Sequence, residues 1–355
     1  MIDAARLALV AAAALPLAAC ELGPKDYQQT GYRGAGLQQI VDRNHVRKAA
    51  AIPANAYETP PDTGPRASEV YQNVQVLGGV SAEQFNHLMA QMNVWVAPPA
   101  EGCNYCHNPE NMASDEKYTK VVARRMVQMT RTLNGQWSSH VRNTGVTCWT
   151  CHRGNAVPEY KWAEGDLPSR SIWRNKHGQN SPDANVGYAS LPYDPFDHYL
   201  RGPAEIRVAA SSSYPKPDHV VSIKDAEGSY GLMMHVSQSL GVNCTYCHNS
   251  QSFRSWSLSR AQRGTAYYGI RMVRDINAQY ITPLAPVFPA NRKGINGDPY
   301  KVNCMTCHQG LSKPLGGVSM LADNPTLRAA RPVMAATPPA PVRAFRQPAA
   351  ITDNQ

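Results

Sequence analysis

Four stretches of the chain place apolar side chains three or four residues apart, the spacing of one face of an α-helix. The first begins with a capping box of Ser81 and Gln84 and stops before Pro98, and Gly241 is the expected C-cap of the third. Every stretch carries methionine on its apolar face. The sequence therefore predicts amphipathic helices within "SAEQFNHLMAQMNVWVAPP" (81–99), "DEKYTKVVARRMVQMTRTLN" (115–134), "EGSYGLMMHVSQSLG" (227–241) and "TAYYGIRMVRDIN" (265–277).

A Cys-Xaa-Xaa-Cys-His motif follows each of these helices. This motif is the attachment signature of c-type haem, in which both sulfurs form thioethers with the porphyrin and the histidine ligates iron. The sequence thus predicts four covalent haems with the motif histidines as proximal ligands. The motifs are Cys103, Cys106 and His107; Cys148, Cys151 and His152; Cys244, Cys247 and His248; and Cys304, Cys307 and His308.

Zinc is the main alternative for such cysteine pairs, because two pairs can form a tetrahedral structural site. Zinc does not require a histidine after every second cysteine, however, and exported thiols tend to oxidise. A redox-active cysteine pair would need one motif rather than four. Covalent haem is the favoured interpretation.

The helix, loop and motif recur as a unit. "RRMV" (124–127) and "IRMV" (270–273) are nearly identical, as are "CNYCHN" and "CTYCHN". This pattern indicates an internal duplication. The predicted fold is mainly α with much coil, since the chain has 28 prolines and 25 glycines, and is built from two pseudo-twofold-related dihaem halves at residues 67–160 and 227–320.

The remaining segments lack this periodicity. Residues 20–66 are expected to form an extended arm, and the proline- and alanine-rich residues 321–355 a flexible or surface-draped tail. The connector, residues 161–226, either packs over the core or against partner subunits, or is a long surface linker.

The N-terminus is a short apolar run of 13 residues, Leu7 to Ala19, which is too short to span a bilayer and has the character of a signal peptide. It ends in Leu17-Ala18-Ala19-Cys20, which resembles a bacterial lipobox. Residues 1–19 are therefore predicted to be removed and Cys20 to be acylated on the periplasmic side. The alternative is an apolar leader or retained anchor that contains a cysteine by chance. Since eight of the nine cysteines lie in the motifs and the ninth is Cys20, none is left for a disulfide.

The formal net charge is +9, which alone would suggest nucleic acid or an anionic membrane as partner. The lysines and arginines are scattered, however, without a run of five like charges. Four haems would add about eight negative charges through their propionates. A nucleic-acid partner is therefore not needed to explain the basic composition.

The second axial ligand decides the chemistry, because iron with one protein ligand can bind oxygen or substrate, whereas iron with two only passes electrons. Met89, Met126 and Met233 are the best candidates on their helices, with Met92 and Met234 close by. For the fourth haem the repeat nominates Met272. Seven histidines lie outside the motifs, and spacing alone does not choose among them: His45, His87, His140, His177, His198, His219 and His235.

With these residues assembled, the chain resembles the tetrahaem cytochrome subunit of purple-bacterial photosynthetic reaction centres. The resemblance covers roughly residues 67–320, and family members are commonly anchored by an acylated N-terminal cysteine. The stretches that carry it are "EGCNYCHN", "VVARRMVQMTR", "TGVTCWTCHRG", "LMMHVSQSLGVNCTYCHN" and "VNCMTCHQG".

This resemblance implies His/Met ligation for three haems, through Met89, Met126 and Met233. It implies bis-histidine ligation for the fourth, in which His140 of "WSSHVRNTG" reaches across from the first half. Met272 is then a core residue rather than a ligand.

The resemblance also implies a function. Family members carry electrons from a soluble c-type cytochrome or high-potential iron–sulfur protein to the photo-oxidised bacteriochlorophyll special pair held by the L and M subunits. The haem at Cys244 and Cys247 would lie nearest the special pair, and the haem at Cys103 and Cys106 farthest from it.

Two other functions compete with electron transfer to a reaction centre. A multihaem reductase or peroxidase would need a haem with an open or exchangeable site and acid–base residues beside it. A free periplasmic electron carrier would need no photosynthetic partner. Four apparent sixth ligands argue against the enzyme, so we expect an electron-transfer subunit without substrate chemistry of its own.

Overall fold

The computed structural model describes residues 23–30, 37–165, 190–191, 194–206, 208 and 222–328. Within these residues the chain is mostly helix and irregular coil, with one two-stranded antiparallel sheet. The predicted mainly α fold with much coil is thereby confirmed. None of the helices in these ranges has both the length and the apolar character needed to cross a bilayer.

The regular elements are short apart from four helices that precede the motifs. The strands are β1 (Lys25–Thr30) and β2 (Leu37–Asp42). The helices are α1 (Arg43–Ala50), α2 (Ala67–Val70), α3 (Ala82–Trp95), α4 (Tyr118–Gln136), α5 (Ser138–Val141), α6 (Cys148–His152), α7 (Ile223–Leu240), α8 (Ala261–Asp275) and α9 (Cys304–His308). Single 3-10 turns form at Gly102–Tyr105, Cys244–Tyr246, Thr282–Leu284, Ala290–Arg292, Pro314–Gly317 and Pro325–Leu327, and π-helical turns at Asp197–Arg201 and Ile276–Ile281.

The predicted helix ends agree with the structure except in one detail. The Ser81 hydroxyl accepts a hydrogen bond from the Gln84 amide (3.3 Å), and Gly241 ends α7 with φ of 61°. The Gln84 side chain, however, donates to the Pro60 carbonyl (3.2 Å) rather than accepting from the Ser81 amide. Only half of the predicted capping box forms, because a neighbouring loop offers Gln84 a different partner.

The N-terminal segment is more ordered than the extended arm that the sequence predicts. β1 pairs antiparallel with β2, and the Asp42 carboxylate caps α1 by accepting from the Asn44 amide (2.8 Å). The Gln39 side chain donates to the carbonyl oxygen of Gly241, which joins this hairpin to the end of α7. The strands are rich in glutamine and lack an apolar alternation, so their backbone pairing leaves no clear signal in the sequence.

Among the described residues, three clusters of buried apolar side chains form the core. The first contains Leu88 and Trp95 of α3, the second contains Leu133 of α4 and Ile276 beyond α8, and the third contains Leu232 of α7. The second cluster therefore joins a helix from each predicted half.

The segments on either side of the predicted second half, the connector before it and the start of the tail after it, both contribute residues to the core. Leu327 is fully buried in the first cluster, although the sequence places it in a flexible tail. In the connector, Trp162 and Phe196 pack against each other (ring centroids 5.4 Å apart) and against Ile270 of α8. The described part of the connector thus packs over the core. Cys20, the leader and residues 329–355 lie outside the described residues.

Candidate functional site

The four motifs adopt two backbone conformations in alternation. The first and third form 3-10 turns, whereas the second and fourth are the short helices α6 and α9. α6 and α9 end at Arg153 and Gln309, which share a left-handed backbone with φ of 51°. The first motif therefore resembles the third and the second resembles the fourth, which is the order that an internal duplication would produce.

Every motif histidine uses its Nδ1 in the same way. Because a carbonyl oxygen can only accept a hydrogen bond, Nδ1 carries the proton and Nε2 keeps its lone pair. Such a bond also fixes the ring orientation of a metal-binding histidine. The acceptors are the backbone oxygens of Met112 for His107 (2.9 Å), Asn155 for His152 (2.9 Å), Phe253 for His248 (2.9 Å) and Leu311 for His308 (2.8 Å).

Burial favours the neutral form of three motif imidazoles, those of His152, His248 and His308. It lowers the pKa of His152 and of His248, and it lowers the pKa of His308 to about 4, with repulsion from His140 as the next cause. Only a neutral imidazole can donate its Nε2 lone pair to a metal. The buried sites thus hold their histidines in the form that iron requires.

The motif cysteines are not linked to one another by disulfides. None of the eight described cysteines forms a disulfide. Burial raises the pKa of Cys148 and Cys304 to about 12 and that of Cys247 to about 11, so these groups are protonated at neutral pH. Two thiols and one oriented imidazole in each motif are the donor set of a c-type haem, and the residues present fit this group.

The second and fourth motifs meet in the structure. The Sγ atoms of Cys151 and Cys307 lie 2.8 Å apart. This hydrogen bond and burial together raise the pKa of Cys151 well above its ordinary value. Two cofactors attached at these motifs would therefore be neighbours.

His140 lies opposite the histidine of the fourth motif. The ring centroids of His140 and His308 are 6.0 Å apart. A metal–imidazole bond is about 2 Å long, and the ring centre lies roughly 1 Å beyond the nitrogen, so two imidazoles on one metal have centroids about 6 Å apart. His140 Nδ1 donates to the Thr265 carbonyl (2.9 Å), which leaves its Nε2 unprotonated. The pair has the spacing and the tautomers of a bis-histidine site.

The three candidate methionine ligands are half-buried on their helices. Met89 of α3 packs against the cluster that includes Cys148, Met126 of α4 against the second cluster, and Met233 of α7 against the third. Met272 of α8 is 5% exposed inside the second cluster, as expected of a core residue. Ligation of iron by Met89, Met126 and Met233 stays a prediction.

The other described histidines have partners elsewhere. His45 Nε2 bonds to the Gln309 carbonyl (2.9 Å), His87 Nε2 to the Tyr57 carbonyl (3.2 Å), and His235 Nε2 to the Ser239 hydroxyl (3.2 Å). His198 lies beside Tyr199, and His177 and His219 lie outside the described residues.

Sequence reasoning did not find the groups that orient the histidines. Lys120 of α4 donates to the Met112 carbonyl (2.9 Å), the same oxygen that accepts from His107, and to the next two carbonyls. Lys120 therefore holds the loop behind the first motif. The acceptors themselves are backbone oxygens, which every residue type supplies, so no residue pattern marks them.

Comparisons with known proteins agree with the resemblance seen in the sequence. The family described as the photosynthetic reaction centre cytochrome C subunit matches residues 21–328. The photosynthetic reaction center cytochrome c subunit of Rubrivivax gelatinosus (strain NBRC 100245 / IL144) is 49% identical over 332 residues, covering 92% of this chain and 90% of the relative. The corresponding subunit of Thermochromatium tepidum is 48% identical, covering 90% of this chain and 79% of the relative. That of Roseobacter denitrificans (strain ATCC 33942 / OCh 114) is 37% identical over 84% of both chains.

The family match covers all four motifs, and the resemblance to reaction-centre cytochrome subunits that the sequence indicates is confirmed. The chain belongs to the family of photosynthetic reaction centre cytochrome c subunits.

Proposed function

We propose that this protein carries electrons through four c-type haems from a soluble periplasmic donor to the photo-oxidised special pair of a photosynthetic reaction centre. One observation carries the proposal. Four histidines, each directly after a pair of cysteines, all donate Nδ1–H to a backbone carbonyl and keep Nε2 for iron. Family membership supports the reaction centre as the destination of the electrons.

The proposed axial ligands fill both sides of each iron. Thioether ligation stabilises ferrous iron and raises the potential, whereas a second imidazole lowers it, so the fourth haem is expected to have the lowest midpoint potential. The 6.0 Å separation of His140 and His308 supports the bis-histidine pair. The pairs are His107 with Met89, His152 with Met126, His248 with Met233, and His308 with His140.

A bound haem supplies one reversible electron at its iron. The cysteines of each motif would hold the group by two thioethers, and the motif histidine with its proposed partner would ligate the iron. With no exchangeable position left at the iron, oxygen and substrates would be excluded and only an electron would pass. No bond in the chain is made or broken in this role.

The proposed path runs through two pseudo-twofold-related halves, residues 67–160 and 227–320. The alternation of 3-10 and α-helical motifs supports the duplication. By the resemblance to the family, the haem at Cys244 and Cys247 faces the special pair on the L and M subunits. The haem at Cys103 and Cys106 then receives electrons from a c-type cytochrome or a high-potential iron–sulfur protein.

The proposed location is the periplasmic face of the photosynthetic membrane. Acylation at Cys20 would supply the anchor, and the L and M subunits would supply a second attachment. Mass spectrometry of the purified subunit tests the anchor, because a mature chain that begins with a lipid-modified Cys20 is expected. An unmodified N-terminus or a retained leader would contradict it.

A multihaem enzyme is the competing function. It would need at least one iron that exchanges its sixth ligand, and it would bind carbon monoxide when reduced. The proposed ligand pairs predict no such binding. A free carrier, in turn, would purify without bacteriochlorophyll-binding subunits.

The decisive experiment is flash-induced absorbance on membranes poised at defined potentials. Oxidation of haem after the flash, followed by re-reduction when the soluble donor is added, is the expected result. Functional reaction centres without a haem response would contradict the proposal. Intact-mass analysis gives the haem count independently, and fewer than four covalent haems per chain would contradict the proposed stoichiometry.

A further inference from the structure

Helix α8 passes so close to His140 that one position on it has no room for a side chain. A Cβ atom built on Gly269 would lie 2.8 Å from His140 Nδ1 and 3.1 Å from Nε2, and closer still to Cε1. Cβ atoms essentially never come this near to a ring atom. Gly269 therefore lets the imidazole lie directly against the helix backbone.

The imidazole cannot simply move aside. Its Nδ1 donates to the Thr265 carbonyl one turn earlier on α8 (2.9 Å). The next residue, Val141, is buried in the second cluster, and Arg142 donates to the Thr265 hydroxyl (3.0 Å). His140 and the two residues that follow it are thus held in place beside the contact between His140 and Gly269.

The two halves differ at this position. Aligning "RRMV" with "IRMV" places Ala123 of α4 opposite Gly269 of α8, and Met126 opposite Met272. Met126 is half-buried, whereas Met272 is 5% exposed within the second cluster. Ala123 therefore places a methyl group on α4 where Gly269 leaves only a hydrogen atom on α8. The space left at Gly269 is the place where His140 lies.

We propose that Gly269 is a positioning residue for the fourth haem site, and that it allows His140, rather than Met272, to face His308. The proposal rests on the proposed function, in which His140 is the sixth ligand of that haem. Gly269 acts through His140 and has no ligand role itself.

The test compares two glycine substitutions in the same helix of the haem-loaded protein. Gly269→Ala should displace His140, so that the reduced protein binds carbon monoxide at one haem, seen as a shift of the Soret band, and the lowest midpoint potential rises. Gly264→Ala is the matched control, because no heavy atom lies within 4 Å of a Cβ at that position. If both variants retain the wild-type spectrum and potentials, the positioning role is wrong.

His140→Ala distinguishes the positioning role of Gly269 from the proposed ligand role of His140. If His140→Ala leaves the lowest-potential haem unchanged, His140 is not the ligand and both proposals fail. If His140→Ala opens that haem to carbon monoxide while Gly269→Ala matches Gly264→Ala, only the positioning role fails.

A double variant covers the case in which Gly269→Ala impairs assembly. In the His140→Ala background the clash is removed, so adding Gly269→Ala should change neither the haem content nor the spectrum further. A further loss of haem in the double variant would mean that the substitution disturbs packing rather than His140, and would overturn the proposal.

Discussion

Gly241, at the end of helix α7, lies directly against Gly310, which follows the fourth motif. A Cβ atom on Gly241 would lie 3.0 Å from the Gly310 carbonyl carbon and nearer still to its oxygen. The Gly310 amide donates to the Ser239 carbonyl of α7 (2.8 Å). The helix that carries Met233 is thus joined to the loop of the fourth motif by direct backbone contact.

Gly241→Ala should destabilise the haem-loaded protein by about 3 kcal/mol, because it adds a steric overlap with a rigid backbone to the cost of a left-handed alanine at φ of 61°. Thermal unfolding followed by circular dichroism measures the effect. Gly297→Ala is the control, since Gly297 has φ of 80° but no heavy atom within 4 Å of its Cβ position, and it should lose only about 1 kcal/mol. Equal losses in the two variants would contradict the role of the Gly310 contact.

Met126→Leu and Met272→Leu should have opposite consequences, although the two residues occupy corresponding places in the duplicated sequence. If Met126 is a sixth ligand, its replacement opens one haem to carbon monoxide, because leucine has no sulfur. Met272 is packed in the second cluster, so Met272→Leu should preserve the spectrum and cost less than about 1.5 kcal/mol of stability. Carbon monoxide binding in the Met272→Leu variant as well would favour the repeat-based assignment, in which Met272 ligates the fourth haem.

The contact between Cys151 and Cys307 predicts a redox interaction between the second and fourth haems. His140→Met should raise the midpoint of the fourth haem on the order of 0.1 V, since thioether ligation favours ferrous iron. Where this rise carries the midpoint of the fourth haem above that of the second, the second haem titrates beside a reduced rather than an oxidised neighbour. The midpoint of the second haem should then fall, because a reduced neighbour carries one positive charge less and repels the oxidised second haem less.

Spectroelectrochemical titration of the wild type and of His140→Met measures this shift. The first haem, whose motif makes no such contact within the described residues, serves as the internal control. An unchanged midpoint for the second haem, with the fourth haem raised above it, would show that the two are not electrostatic neighbours.

Asp115 predicts a small pH-dependent contribution to stability. The Arg124 guanidinium (2.9 Å) and, secondarily, Lys120 hold the pKa of this carboxyl at about 2 in the folded protein. Since the unfolded value is about 4, the stabilisation is complete above that pH and is lost as the pH falls towards 2. The carboxylate is 36% exposed, so solvent screening limits the effect of Asp115→Asn at pH 7 to roughly 0.5 kcal/mol.

Urea unfolding of the wild type and Asp115→Asn at pH 7, 5 and 3 checks this prediction. The difference between the two proteins should be the same at pH 7 and 5 and smaller at pH 3. Glu58→Gln, at an exposed carboxylate with no ion pair among the described residues, should show no such trend. A difference that grows on acidification would have the wrong sign.

The helices before the motifs were predictable because their signals are local. Ser81 begins α3, Gly241 ends α7, and apolar spacing marks the faces that pack in the core. The β1–β2 hairpin and the burial of Leu327 were not predictable in this way. Both depend on partners distant in the chain, such as Gly241 for Gln39 and α3 for Leu327.

The amino-acid sequence by itself determined the covalent chemistry of this protein. Two cysteines and a histidine within five consecutive residues are the donor set of a c-type haem whatever the remainder of the chain does, so the motif can be recognised from spacing alone. Only the tertiary structure decided that His140 faces His308 and that Cys151 contacts Cys307. Those pairs are set by the packing of α5 on α8 and of α6 near α9, and such packing is the sum of many long-range contacts that no local spacing encodes.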